Sequence, residues 1–315
     1  MNIMKEANNG VGCDRMRYMR EALRDEYMRY AAQYPDISSL QKPDINISDT
    51  LRAYFILADY FTDPTADQKS ERMLVGVRDM NLLVSALGRQ NVSFAGTVKY
   101  SSPLDICATL FLGLVKNHAF LDGNKRTALL TLLYQLDNYG YCPAVPQKEF
   151  EQLVVATAAN QLETKYDKQW KGVPKQYRAV KTDHSVQVIS KLLNKMVRKK
   201  DNSFHLDITA RALIEAINKV PGCSAVAEGS KIKLQRKMAE KRIWIWVQQE
   251  AKEYNYAIPY KGDTRTVGAE TARKVLDRLH LYDQYPSYSS FIEGEDPRYM
   301  LIQQFEGPLR RLKDK

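Results

Sequence analysis

His118-Ala119-Phe120-Leu121-Asp122-Gly123-Asn124-Lys125-Arg126-Thr127 is a polar decapeptide set between two strongly apolar stretches. Upstream lies Pro103 to Val115 (PLDICATLFLGLV), downstream Ala128 to Leu136 (ALLTLLYQL). Both read as helices apolar nearly all round, hence buried, and both are too short and interrupted to span a membrane. The decapeptide is therefore a loop held between two core helices, where a reactive site would be firmly supported.

Its chemistry points to an anion. Asp122-Gly123-Asn124 supplies a turn and a helix N-cap, which puts Lys125 and Arg126 in the first turn of the second helix. That end of a helix carries partial positive charge and unpaired N–H groups, so each cation there costs roughly 0.3–1 kcal/mol. Two adjacent cations at the unfavourable end make sense when an anion occupies the site, and phosphate is the anion that helix N-termini cradle most readily.

These residues resemble the signature of the Fic/Doc family, which reads His, any, Phe, any, Asp or Glu, Gly or Ala, Asn, any, Arg. His118, Phe120, Asp122, Gly123, Asn124 and Arg126 all match. The Lys-Arg-Thr after Asn124 looks like the Doc branch, whereas most AMP-transferring Fic proteins carry Gly where Lys125 stands. The segment Gly76-Val77-Arg78-Asp79-Met80-Asn81-Leu82-Leu83 is similar to the one that precedes the loop in Doc-like chains. The resemblance covers roughly residues 45–160. It implies a mainly α chain: a helical core with a small β-hairpin flap, followed here by a smaller α+β domain of no recognised family.

Composition is that of a soluble globular protein, 44% apolar and 27% charged over 315 residues, long enough for two cores. Cys13, Cys107, Cys142 and Cys223 are scattered without metal-ligand spacing, which reads as reduced thiols in a cytoplasmic protein. The opening Met1-Asn2-Ile3-Met4-Lys5-Glu6 has no apolar core of a secretory signal. The net charge of +10 is uneven. Residues 161–200 hold 11 Lys and Arg against 3 acids, while residues 1–160 hold 17 against 18. The run from Lys165 to Lys200 is either a solvated face or linker, or an attractor of nucleic acid by counterion release.

Three segments follow: a catalytic domain over 1–160, a basic helical linker over 161–200, and an α+β domain over 201–315. In order, helices are expected at 12–33, at Ser48–Phe61 and at 79–88. A hairpin around Gly96 (Val92–Tyr100) comes next, then the two core helices and a helix at Gln147–Ala159. Residues 160–183 read as polar and irregular, with a helix from Ser185 to Arg198. Beyond 201, helices are expected at Thr209–Lys219, Gly268–Leu279 and Arg298–Phe305, and strands at Gly222–Val226 and Lys231–Gln235. Gly307-Pro308 should break the last helix. The Ile243–Val247 run is ambiguous between strand and buried helix.

The residues assign roles by type. His118 can accept a proton from an incoming hydroxyl, or merely cap its helix. Asp122 can hold Mg²⁺ through a single carboxylate, or merely shape a turn. Gly123 lets backbone approach phosphate, Asn124 adds a side-chain donor, and Lys125 and Arg126 neutralise phosphoryl charge. Phe120 anchors the loop from inside. The resemblance implies transfer of part of ATP to a hydroxyl of a target protein. The Doc-like form transfers the γ-phosphoryl group, with elongation factor Tu as target and a separate antitoxin as restraint; the alternatives are AMP transfer to Ser, Thr or Tyr, or a silent nucleic-acid-binding module. It also makes the hairpin (Phe94, Gly96, Thr97, Val98) a flap that aligns a target's backbone by strand addition. Three positions depart from the family: Ala119 replaces a common Pro, Leu129 the second Arg of AMP-transferring members, and Leu130 the Asn of Doc. A Ser-x-x-x-Glu-Gly pattern, which marks an inhibitory helix in many Fic proteins, occurs at Ser224–Gly229 and at Ser289–Gly294.

Overall fold

The computed structural model describes residues 19–40, 43–62, 73–94, 96–200, 208–220, 222–238, 252–281, 291 and 296–313. The chain forms two compact units. One comprises residues 19–200 together with 298–315, the other 201–297 with the first eighteen residues.

The first unit is built on an antiparallel pair, α4 (Pro103–Asn117) and α5 (Asn124–Asn138). Pro103 opens α4, where a missing N–H costs nothing, and His118 closes it in the left-handed region at φ 49°. Leu110, Phe111, Val115, Leu129, Leu130 and Leu136 on this pair are at most 1% exposed, as two apolar helices packed on all sides require. Around them pack α2 (Ile47–Thr62), α3 (Met80–Gly88) and α6 (Gln147–Ala158), while α1 (Glu21–Gln33) lies on α2 through the Tyr27–Phe55 edge contact. Helix α3 comes very close to α4 at Gly113, where a Cβ would stand 3.1 Å from the Ala86 backbone. Any side chain there would force Ala86 back by a few tenths of an ångström.

One buried polar side chain ties the layers. Gln90 is 2% exposed and accepts from Ile45 N–H (3.0 Å) and from the Gln135 amide (2.7 Å). It donates to the carbonyls of Ile45 (2.9 Å) and Leu87 (3.0 Å). Every group of that carboxamide is matched, so it holds the chain before α2 against α5 without an orphaned polar atom of its own.

The hairpin is present as β1 (Ser93–Phe94) and β2 (Thr97–Val98), with Ser93 opposite Val98 and Gly96 at φ 79° in the turn. The basic segment is not a linker. Residues 160–183 contain α7 (Leu162–Lys165), α8 (Asp167–Lys171) and a 3-10 turn at Lys175–Tyr177. Trp170 stacks on His184 at 3.8 Å between ring centroids. Helix α9 (Lys181–Met196) then buries Val186, Val188, Ile189 and Leu193 against α4. Strand β4 (Val197–Lys199) pairs antiparallel with β3 (Tyr141–Pro143), and Lys200 forms an ion pair with Asp137. Val186, Ile189, Leu192, Leu193 and Met196 form one apolar stripe that is legible in sequence, and its burial makes α9 part of the core.

The second unit has α10 (Ala210–Asn218) and α11 (Ala269–Arg278) with an antiparallel sheet ordered β6 (Cys223–Glu228), β7 (Lys231–Met238), β8 (Lys252–Pro259). A short pair, β5 (Ile208–Thr209) with β9 (Thr266–Val267), completes it. Ile232 and Leu234 are buried while Lys231 and Lys233 are exposed, the alternation of a one-sided sheet. Strand β8 escaped the sequence reading although Tyr254, Tyr256 and Ile258 alternate with polar residues. The Ile243–Val247 run lies outside the described residues.

The α+β unit does not extend to residue 315 as expected. From Arg298 the chain rejoins the first unit as α12 (Pro297–Gln304) and α13 (Glu306–Arg311). Gly307-Pro308 does not stop the chain's helicity, because Pro308 falls in the first turn of a new helix, where its missing N–H is tolerated. Phe305 and Leu309 are fully buried, Phe305 edge-on to Phe150 at 5.8 Å, and Arg298 pairs with Asp49 and lies over the Tyr134 ring at 3.9 Å.

Gln90→Leu keeps the volume but orphans the Ile45 backbone and the Gln135 amide. It should lower unfolding free energy by about 3 kcal/mol, from unsatisfied buried groups at 1–3 kcal/mol each. Urea titration should show a lower midpoint at unchanged slope.

Candidate active site

The bend between α4 and α5 is pinned from within and from one side. Asn124, the first residue of α5, folds its carboxamide back onto the loop: its oxygen accepts from Phe120 N–H and its nitrogen donates to Phe120 C=O, both at 2.9 Å. Asn124 is 4% exposed. The side chain read as a phosphate donor is thus committed to shaping the loop in this structure. From the side, residues 76–79 run antiparallel to residues 119–121 like a one-rung strand pair. Leu121 N–H donates to Gly76 C=O (3.0 Å), and Arg78 N–H donates to Ala119 C=O (2.8 Å).

Phe120 is the internal anchor, 2% exposed and stacked on Tyr54 with ring centroids 4.0 Å apart and planes 14° from parallel. The Tyr54 hydroxyl accepts from Gly76 N–H (2.8 Å) and donates to Gly76 C=O (3.1 Å), so it also fastens the bracing segment. Burial pushes that phenol well above its ordinary range, and the nearby Asp122 charge pushes the same way. Tyr54 was not singled out from sequence, because within an apolar helix it looks like one more core aromatic. Gly123 sits at φ 79°, with Met73 and Tyr54 against the place a Cβ would take. The N-cap position belongs to Gly123 rather than to Asp122 or Asn124.

On this frame the polar residues divide cleanly. His118 is exposed at the end of α4 and has no hydrogen-bond or ion-pair partner among the described residues. Asp122 is half-buried; its Oδ1 accepts from Gly123 N–H at 2.6 Å, which leaves Oδ2 for a cation. Lys125 and Arg126 stand in the first turn of α5 as expected. Arg126 is 3% exposed, with its guanidinium 4.4 Å above the Phe61 ring. Its Nε donates to Leu309 C=O (2.7 Å) and Nη2 to Arg310 C=O (3.4 Å), while Lys125 Nζ donates to Lys313 C=O (2.6 Å). Nothing in residues 309–313 announces this contact in sequence, since it is made by backbone oxygens.

The donor set suits a nucleotide's phosphates with magnesium. No group of three or more His, Cys, Asp or Glu among the described residues would cage a metal, yet one free carboxylate oxygen beside two cations and a helix N-terminus is what phosphate-borne Mg²⁺ needs. Leu129, at the place of the second Arg of AMP-transferring relatives, is fully buried and offers no charge. Of the two Ser-x-x-x-Glu-Gly matches, Ser224–Glu228 lies in strand β6 and not in a helix, and Ser289–Gly294 falls outside the described residues. The flap hairpin is formed, and Val98 at its second strand is 49% exposed.

Asn124→Ala should orphan both polar groups of the Phe120 backbone and cost about 2–3 kcal/mol. Amide exchange at Phe120 and Leu121 should accelerate more than anywhere else in the unit, and uniform acceleration would deny Asn124 its local role.

Comparison with known proteins agrees with this geometry. Residues 44–136 match the model of the Fic/DOC family. A 52-residue stretch is 44% identical to Toxin Doc of Mycolicibacterium smegmatis. That stretch is 16% of this chain and 40% of the mycobacterial protein, so the chain spans about two fifths of that relative's length. No solved structure matches. No helix among the described residues is long and apolar enough to cross a membrane. The matched residues 44–136 hold the pinned bend and all its polar residues, so the likeness to the Fic/DOC family is a likeness of this part of the chain.

Proposed function

We propose that this domain transfers the γ-phosphoryl group of ATP to a hydroxyl of a target protein, as a Doc-like toxin. The carrying observation is the placement of an exposed, unpartnered imidazole and two cations on opposite ends of one rigid bend. His118 would accept the proton of the incoming hydroxyl as its oxygen bonds to the γ-phosphorus and the bond to the β-phosphate oxygen breaks, releasing ADP. Lys125 and Arg126 neutralise the charge gathering on the phosphoryl oxygens, and the Gly123 backbone allows their close approach. Mg²⁺, held by Asp122 Oδ2 with the nucleotide, supplies further charge neutralisation when bound.

Two features favour phosphoryl over AMP transfer. Lys125 puts a long cation where the AMP-transferring form has Gly, and Leu129 removes the second Arg. The flap supports a protein substrate: a two-stranded hairpin leaves backbone edges for an extended segment of the target to pair with. By likeness to Toxin Doc the restraint would be a separate antitoxin, the place of action the cytoplasm and the target a translation factor.

Incubation with cell lysate and ATP labelled at the γ or the α position tests this. Label should enter protein from γ only; label from α would instead mean AMP transfer, and none from either would favour a nucleic-acid-binding role for the basic face of α7–α9. His118→Ala should lower transfer at least a hundredfold with unchanged thermal unfolding. Expression of the wild-type chain alone should arrest growth, and the His118→Ala chain should not.

A further inference from the structure

The most basic stretch of the chain borders a cleft that the reaction at the bend does not use. Residues 161–200 carry 11 Lys and Arg against 3 acids. A cleft of about 420 Å³ opens where α8, α9 and the start of α4 meet. Lys168 reaches it from α8, and Lys191 and Lys195 from consecutive turns of α9. The last two share one helix face four residues apart, a like-charge pair that weakens a helix unless an anion lies across it. Lys168 and Lys195 are exposed and have no hydrogen-bond or ion-pair partner among the described residues. Lys191 Nζ donates to Gly172 C=O at 2.5 Å, which leaves two of its N–H groups for a ligand. No acid is among the described residues that line the cleft. Of the three acids in the stretch, Asp167 pairs with Lys171 (3.0 Å) and Asp183 with Lys99 (2.7 Å), while Glu163 stands on α7.

We infer that this cleft seats the phosphodiester backbone of a nucleic-acid duplex, held without regard to sequence. Three ammonium groups supply the charge, and Ser190, Asn194 and Gln169 supply neutral donors that fix phosphate oxygens in place. The kind of occupant follows from the lining. Leu104 is its one apolar side chain among the described residues and is itself buried, and no aromatic ring is among them. Small-molecule sites of this size are mainly apolar and aromatic, and single strands are held by stacking their bases on rings. Trp170, the nearest ring in sequence to Lys168, is already stacked on His184. A duplex keeps its bases inside and presents its phosphates outward, which suits a lining of charge and small polar groups. A free phosphate would meet the same lysines but fill little of the volume. The cleft lies at the far end of α4 from His118: fifteen residues at roughly 1.5 Å each put the two about 22 Å apart. Duplex binding is therefore separable from transfer, and the inference does not depend on the reaction proposed for the bend.

Fluorescence anisotropy of the intact chain with labelled duplexes of about 20 base pairs and unrelated sequence, taken across a salt series, tests this. Affinity should be alike for all sequences and fall steeply as salt rises. Lys168→Gln with Lys195→Gln should weaken binding at least about tenfold and reduce the slope of log K on log salt by about 1.8, at roughly 0.9 per phosphate contact. Both side chains are exposed, so thermal unfolding and nucleotide binding at the bend should not change. Asn194→Asp puts an acid into the cleft without removing a lysine and should weaken binding about fivefold. As a control, Lys148→Gln with Lys219→Gln removes the same charge outside the cleft and should weaken binding less than about twofold. Equal losses in the cleft and control variants would overturn the inference, as would failure of the intact chain to bind duplexes at low salt. Tighter binding of single strands than of duplexes would overturn it too. Displacement of the duplex by micromolar inorganic phosphate would make this a site for the free anion, and would equally overturn it.

Discussion

The two hydrogen bonds between the Asn124 carboxamide and the Phe120 backbone decide the shape of the bend on which every functional residue stands. Without them a six-residue turn between two buried helices would carry two unpaired polar groups at its most buried point. With them, Phe120 is drawn inward onto Tyr54 and Leu121 is left outward, while Gly123 takes its left-handed conformation. The imidazole of His118 and the cations of α5 can then be placed by helix ends rather than by a loose loop, and rigidity of this order is what a transfer site needs.

Much of the first unit was legible because its strongest signals are local. Two continuous apolar runs flanking a polar decapeptide fix the helix pair, and Asp-Gly-Asn followed by Lys-Arg fixes where the second helix starts. The Gly96 hairpin was equally plain. What stayed hidden depends on partners far along the chain. Tyr54 holds Gly76 from twenty-two residues away and looks from sequence like any core aromatic. Helix α9 could be read from its apolar stripe, but not its packing against α4, far earlier in the chain. An amide near a helix start suits both an anion and its own loop, and the two hydrogen bonds from Asn124 to Phe120 could not be read from sequence.

The bend also shows how one physical device serves two ends. Helix termini are places where the backbone carries net partial charge. The start of α5 offers donors, and the end of α13 offers acceptors. Their mutual satisfaction stabilises the fold as it stands, while the same donors are those a phosphate would claim. Arg126, 3% exposed between Phe61 and these carbonyls, is therefore a packing element as well as a cation at a helix start.

The acceptors reach the bend by a long route: about 183 residues separate Arg126 from Leu309, and the whole of the second unit is threaded between. Closing so long a chain is entropically costly when it is loose, and less so when most of it is already compact, because the effective loop shortens. The folding of the second unit therefore shortens the effective loop that brings Leu309 to Arg126. An inserted module of this kind acts as a tether: whatever unfolds it lengthens the loop that joins α5 to α13.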